Sequence, residues 1–104
     1  MQAKERTAAK NNKREVNKMI IYVVTELDIS EVNGAETYSR VFKKLDSARN
    51  YLNQQADNFI ECEKDGFSDP VIERDEDNFC MYENGRFLEN SYSISIRMDT
   101  LYED

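Results

Sequence analysis

The sequence has no histidine and no tryptophan among its 104 residues, and only two cysteines. Histidine is the commonest general base and metal ligand, so its absence excludes Ser–His and Cys–His nucleophile pairs. Cys62 and Cys80 are too few for a disulfide framework or a structural zinc site. No phosphate-binding loop of the Walker or dinucleotide type occurs. We therefore predict a protein that is not an enzyme and holds no metal or cofactor.

Proline and glycine are also scarce, at one and three residues, which argues against a low-complexity or disordered chain. No stretch has the apolar core of a signal peptide, and no apolar run is long enough to span a membrane. We expect a cytoplasmic protein without membrane contact. In that reducing setting, Cys62 and Cys80 are predicted to be small buried side chains rather than reactive thiols.

The charge is unevenly distributed along the chain, whose net charge is −7. Residues 1–18 hold six bases and two acids, a net +4, whereas residues 19–104 hold eight bases and nineteen acids, a net −11. The length suits one domain. We predict a basic arm over residues 1–18, flexible or helical, followed by a single acidic domain over residues 19–104.

One amphipathic helix is predicted over residues 46–65. Asp46 is a suitable N-cap, and Gly66 is placed to end the helix in the left-handed conformation. Between them, apolar residues recur at helical spacing and form one stripe that must be covered by another element. The members of this stripe are Ala48, Tyr51, Leu52, Ala56, Phe59 and Ile60.

Strands are predicted on both sides of this helix. Two precede it, over residues 19–27 and 37–44, joined by a polar loop at 28–36. Short strands follow at 71–74 and 79–83, with a hairpin return at 86–88 after Asn84 and Gly85, and a last strand with strict alternation at 92–98. The predicted fold is α+β: an antiparallel sheet of four to five strands with the helix on one face, in the order β-β-α-β-β(-β).

Many of the acids continue from the helix end into the following turns. Carboxylates at a helix C-terminus interact unfavourably with the helix dipole, so this arrangement lowers the stability of the helix. We interpret such a locally unfavourable choice as an indication of a functional surface. Such a surface would attract a basic protein partner, although a solvated surface without a partner is the alternative. The predicted acidic patch consists of Asp57, Glu61, Glu63, Asp65, Asp69, Glu73, Asp75, Glu76 and Asp77.

The basic arm gives an alternative hypothesis, a nucleic-acid-associated accessory protein. Lysine and arginine neutralise phosphates, but the arm has no interleaved aromatic residues, so its binding would not be specific for sequence. The acidic domain would repel a polyanion, which makes direct nucleic-acid binding the second choice. The residues of this arm hypothesis are Lys10, Lys13, Arg14 and Lys18. A homo-oligomer formed through an open sheet edge is a further expectation.

The sequence pattern of residues 19–53 resembles that of a known class of short proteins. The string MIIYVVTELD, a polar loop with a glycine, and then YSRVFKKLDSARNYLN resembles short acidic α+β proteins encoded by bacteriophages and mobile elements. Some of those are anti-defence inhibitors, including anti-CRISPR proteins whose acidic surfaces block the nucleic-acid channel of a nuclease. The resemblance implies an inhibitor that mimics nucleic acid. It assigns no residue to a site, and the basic arm departs from it.

Overall fold

A computed structural model describes residues 18–102 of the chain. Residues 1–17, and with them most of the predicted basic arm, lie outside the described part. Within it, five strands and one α-helix follow one another. In chain order they are β1 (Lys18–Ser30), β2 (Gly34–Phe42), α1 (Leu45–Glu63), β3 (Pro70–Arg74), β4 (Asn78–Glu83) and β5 (Ser91–Tyr102), with a 3-10 turn at Lys64–Gly66 after α1.

The strands form one antiparallel sheet in the order β2-β1-β5-β4-β3. The predicted α+β class and the element order, with the helix packed on one face, are confirmed. Antiparallel pairing follows from the short connections between β1 and β2 and between β3 and β4, which leave no room for a crossover. The two long strands β1 and β5 run side by side, from the pair Lys18 and Tyr102 to the pair Ile29 and Ser91.

The core lies between α1 and the sheet. Ala48, Leu52 and Ala56 of the predicted stripe are fully buried, and Phe59 stacks on the ring of Tyr92 at 4.4 Å between centroids. Burial of each large apolar side chain contributes about 1.5–3 kcal/mol before the loss of entropy is subtracted. The sheet supplies Val24, Phe79, Met81, Tyr92 and Ile94 to the same cluster.

The helix begins and ends differently from the prediction. It starts at Leu45 after an extended Lys44 that makes no side-chain cap bond, so Asp46 lies in the first turn and is not the N-cap. Gly66 is not left-handed, since the positive-φ glycines of the described chain are Gly34 and Gly85. The helix instead tightens into a 3-10 turn that brings Phe67 into the core, 6.1 Å from the ring of Phe59. The helix therefore ends in a 3-10 turn followed by the buried Phe67 ring, and not at a left-handed glycine.

The predicted polar loop at residues 28–36 is wrong. β1 and β2 stay paired as far as Ser30 and Gly34, and only residues 31–33 form the turn. Gly34 adopts a φ of 73°, and the Asn33 N–H donates to Ser30 Oγ at 3.0 Å. The polar composition was misleading because this part of the hairpin is largely solvated and needs no apolar face to remain paired.

The predicted return strand at residues 86–88 is also wrong. The backbone N–H of Arg86 donates to the Glu83 carbonyl at 2.8 Å, and those of Glu89 and Asn90 donate to the Arg86 carbonyl, so the segment forms successive turns. The ring of Phe87 packs against Tyr82 at 5.2 Å instead of extending a hairpin.

Candidate interaction surface

The nine acids of the predicted patch lie in several places. Asp57 lies in α1 itself, and the turn 75–77 lies beside Arg49 in the first half of α1. Glu61, Glu63 and Asp65 lie at the helix end, and Asp69 precedes β3. Glu73 is paired in register with Cys80, and its Oε2 accepts the Tyr82 hydroxyl at 3.3 Å. Glu73 therefore points to the sheet face opposite α1, away from the others.

Arg49 neutralises the tip of the β3–β4 turn. Its Nε donates to Asp77 Oδ1 at 2.8 Å, and its Nη2 lies 3.2 Å from Glu76 Oε2. The hydrogen bond to Asp77, with the nearby carboxylate charges, raises the pKa of Arg49 further above its usual value. Two acids of the patch are thus tied to α1 by one base.

Arg74 of β3 neutralises a second acid of the patch, Asp57 of α1. Its Nη1 lies 2.9 Å from Asp57 Oδ1, and its Nη2 donates to the Asn53 side chain at 3.2 Å. The guanidinium carbon also lies 5.6 Å from the centre of the Phe79 ring. This edge of the patch carries less net charge than its sequence suggests, because Asp57, Glu76 and Asp77 each have a cation beside them.

Asp75 and Asp69 have local structural partners. Asp75 Oδ1 accepts the Asp77 N–H at 2.9 Å and the Asn78 amide, and these bonds lower the pKa of Asp75 below its usual value. Asp69 Oδ2 accepts the amide of Asn84 at 3.0 Å. Such side-chain bonds to a turn are the common role of aspartate in loops. They leave both charges in place but hold the carboxylates in fixed orientations.

The acids at the C-terminal end of α1 differ from those near Arg49 and Arg74 because they have few basic side chains beside them. Glu61 lies 3.6 Å from Lys64, an exposed pair of the weak kind, and the last turn of α1 has no basic residue. Glu63 and Asp65 are exposed. The negative end of the helix dipole adds to the potential of these carboxylates.

Two acids that were missing from the prediction lie next to this helix end. Asp28 of β1 and Glu36 of β2 are paired in register. With Glu63 they line a hollow of about 200 Å³, which we call the acidic hollow. Among the described residues that line it, no lysine or arginine occurs. Partial burial raises the pKa of Asp28, and the charges of Glu36, Glu63 and Glu26 raise it further.

The acidic hollow is predictable from the sequence if residues 28–36 are assigned mainly to two paired strands and not to a loop. Taken as a loop, the segment gives no fixed position to Asp28 or Glu36. Taken as continuing strands, the even-numbered positions of β1 place Glu26 and Asp28 on the helix-covered face. The extension of the hairpin was the missing signal.

Glu26, by contrast, is fully engaged beneath the helix. Its two carboxylate oxygens accept the hydroxyls of Tyr51, at 2.8 Å, and of Tyr92, at 2.6 Å. Burial and the bond to Glu26 raise the pKa of Tyr92 far above its usual range. Tyr92 therefore stays protonated and serves as a permanent donor.

The cysteines take two different environments. Cys62 is exposed, so the prediction of a buried side chain is wrong for it, and Cys80 is half-buried. Cys62 comes two residues after Ile60 of the apolar stripe, but its side chain lies outside the buried face of α1. Burial and the nearby Glu73 raise the pKa of the Cys80 thiol. Within residues 18–102, no group of three cysteine or acidic side chains is arranged to hold a metal ion.

The bases of the alternative hypothesis are placed only in part. Lys10, Lys13 and Arg14 lie outside the described residues. Lys18 is exposed at the start of β1, opposite Tyr102. In the described part of the chain, no helix has the length and apolar character needed to cross a membrane.

Comparison of this chain with protein-family models, with curated proteins and with solved structures finds no match. The interaction surface is therefore characterised by its own chemistry.

Proposed function

We propose that this protein is a small non-enzymatic interaction protein that binds a basic protein surface. The observation that carries the proposal is the contrast between acids that have a cation beside them and the acidic hollow, which has none among its described lining residues. A lysine or arginine side chain of the partner would supply the missing charge. The surface extends from the acidic hollow to Glu61 and Asp65 at the end of α1.

The electrostatic argument rests on desolvation and proximity. Asp28 is partly buried beside two other carboxylates, so its charged form is disfavoured in the free protein. A cation entering the acidic hollow would relieve that repulsion, while a phosphate would increase it. The negative end of the α1 dipole acts in the same direction. The surface therefore favours cationic partners and disfavours nucleic acid.

The remaining acids of the predicted patch are proposed to act over a longer range. Asp57, Asp75, Glu76 and Asp77 keep part of their potential despite Arg49 and Arg74, and would increase the association rate. The proposed partner is a protein whose basic groove otherwise binds nucleic acid. The resemblance to phage anti-defence inhibitors supports that choice, and a cytoplasmic location belongs to the same proposal.

The test is a pair of charge reversals measured by calorimetry with an arginine-rich peptide. Glu63→Lys places a cation in the acidic hollow, and we expect the dissociation constant to rise about tenfold or more, with a flatter dependence on salt. Glu76→Lys makes the same charge change beside Arg49 and is the matched control. We expect a smaller effect there because Glu76 already has a cationic neighbour.

Equal effects of the two reversals would show that net charge alone drives binding, and the proposal for the acidic hollow would then be wrong. The alternative function has its own measurement, which is fluorescence anisotropy with duplex DNA and RNA at low salt. Removal of residues 1–18 abolishes binding only if the arm hypothesis holds. Glu63→Lys would not weaken binding of that kind.

A further inference from the structure

The two edges of the sheet are built differently. β3 forms one edge and is short, with five residues beginning at Pro70, which cannot donate to a neighbouring strand. β2 forms the other edge with nine residues, Gly34–Phe42, and contains no proline. Within the described chain, no strand pairs with its outer side. A long unprotected edge is a template for pairing with another strand.

We propose that β2 pairs antiparallel with β2 of a second copy of this chain, about a two-fold axis that passes through Tyr38. Tyr38 is the central residue of the nine, so this register pairs the strand along its whole length. A two-fold axis makes the interface self-complementary, as closed dimers require. The two five-stranded sheets become one continuous sheet.

Charge complementarity selects this register. With Tyr38 on the axis, Glu36 lies directly opposite Arg40 of the second copy, and Arg40 lies opposite its Glu36. Opposite charges at directly facing positions stabilise an antiparallel pair, and like charges destabilise it. The hydroxyl residues Thr37 and Ser39 face each other on the other side of the sheet.

Neighbouring registers lose these pairs. A shift of the axis by one residue along β2 places Glu36 opposite either Tyr38 or Phe42 and leaves Arg40 without a facing carboxylate. A two-fold axis that relates two antiparallel edge strands is perpendicular to the sheet, so both helices stay on the same face. Such an axis must pass through a residue and its copy, because directly facing side chains lie on the same face of the sheet. Among these axes, the one at Tyr38 combines full-length pairing with matched charges.

The charged side chains that this register uses are already on the helix face. The Arg40 guanidinium lies 4.9 Å from the centre of the Tyr51 ring, and Glu36 accepts the Tyr38 hydroxyl at 2.9 Å. Both Arg40 and Glu36 are exposed, and within the described chain neither forms a salt bridge. The dimer would engage Glu36 at the rim of the acidic hollow and leave Asp28 and Glu63 free, so the two proposals can fail separately.

The first experiment locates the axis by cross-linking. In a chain with Cys62→Ser and Cys80→Ser, Tyr38→Cys puts two thiols on the axis, at a Cα separation of about 4.5–5.5 Å, which suits a disulfide. We expect a covalent dimer under mild oxidation. Ala35→Cys is the matched control, since its two copies would lie about 20 Å apart. Equal cross-linking of the two variants would overturn the register.

The second experiment uses charge and is read by sedimentation equilibrium. The full chain should show twice the 12.2 kDa chain mass. Arg40→Glu sets like charges opposite each other and should raise the dimer dissociation constant about tenfold or more. Adding Glu36→Arg restores opposite charges and should restore the dimer. A monomer at all accessible concentrations, or a double variant no tighter than Arg40→Glu alone, would overturn the proposal.

Discussion

Glu26 and Asp28 lie two residues apart on one face of β1, yet their surroundings are opposite. Glu26 receives two tyrosine hydroxyls beneath the middle of α1. Asp28 lies beyond the aromatic rings of the core and faces Glu36 and Glu63. One carboxylate holds the helix to the sheet, and the other is left with unfavourable neighbours. Position along a single strand separates a structural acid from a candidate binding acid.

The same contrast extends along α1. Arg49 in the first half of α1 pairs with Glu76 and Asp77 of the β3–β4 turn, and Arg74 of β3 pairs with Asp57 of α1. The last turn has no basic residue. A count of acids cannot distinguish these ends, because the neutralising bases come from elements far away in the chain. The net effect of an acid depends on what faces it.

The largest effect is expected from Glu26→Ala. It leaves the buried Tyr92 hydroxyl without its acceptor, and we expect a loss of about 2 kcal/mol in the free energy of unfolding. Urea denaturation followed by circular dichroism measures it. Glu31→Ala, in the exposed β1–β2 turn, is the control and should change little. A loss no greater than that of the control would show that Glu26 does not hold helix and sheet together.

A smaller effect is expected from Arg49→Ala. It removes the cation that faces Glu76 and Asp77, and we expect a lower melting temperature and a stronger attraction for a basic peptide. The gain in affinity would arise because two acids lose their internal partner. Melting curves and calorimetry measure both. Unchanged peptide affinity would mean that compensation by Arg49 does not set the strength of the patch.

The smallest effect, of opposite sign, is expected from Asp28→Asn. The pKa of Asp28 is raised above 3.8 in the folded protein, so folding takes up protons just above that pH, and stability falls as pH rises through this window. Removing the charge should therefore increase the urea midpoint at pH 7. The gain should vanish near pH 3, where Asp28 is protonated in both states.

Asp75→Asn is the matched comparison for that measurement. The pKa of Asp75 is lowered below 3.8, so its contribution to stability is present above this value and is lost as pH falls through the folded pKa. Its removal should reduce the urea midpoint at pH 7. A decrease for both variants would contradict the assignment of Asp28 as a destabilising acid.

Much of the fold was predictable because it depends on local patterns. The stripe of Ala48, Leu52 and Ala56 recurs at helical spacing, and Tyr92 and Ile94 alternate with serines, so their elements follow from periodicity alone. The error at residues 86–88 arose because Asn84 and Gly85 were taken as a hairpin turn, whereas the chain there forms successive turns. The error at residues 28–36 arose because composition was used in place of strand pairing. A polar strand and a polar loop look alike until the partner strand is known.

The α+β class, the order of helix and strands, and the excess of acids follow from side-chain spacing and composition, which are local properties of the chain. Which of those acids are neutralised depends on contacts between residues that are distant in the sequence. Arg49 meets Asp77 across 28 positions of the chain, and Tyr92 meets Glu26 across 66. Strand register and helix packing set such contacts, and the accumulation of charge at Asp28, Glu36 and Glu63 is their result.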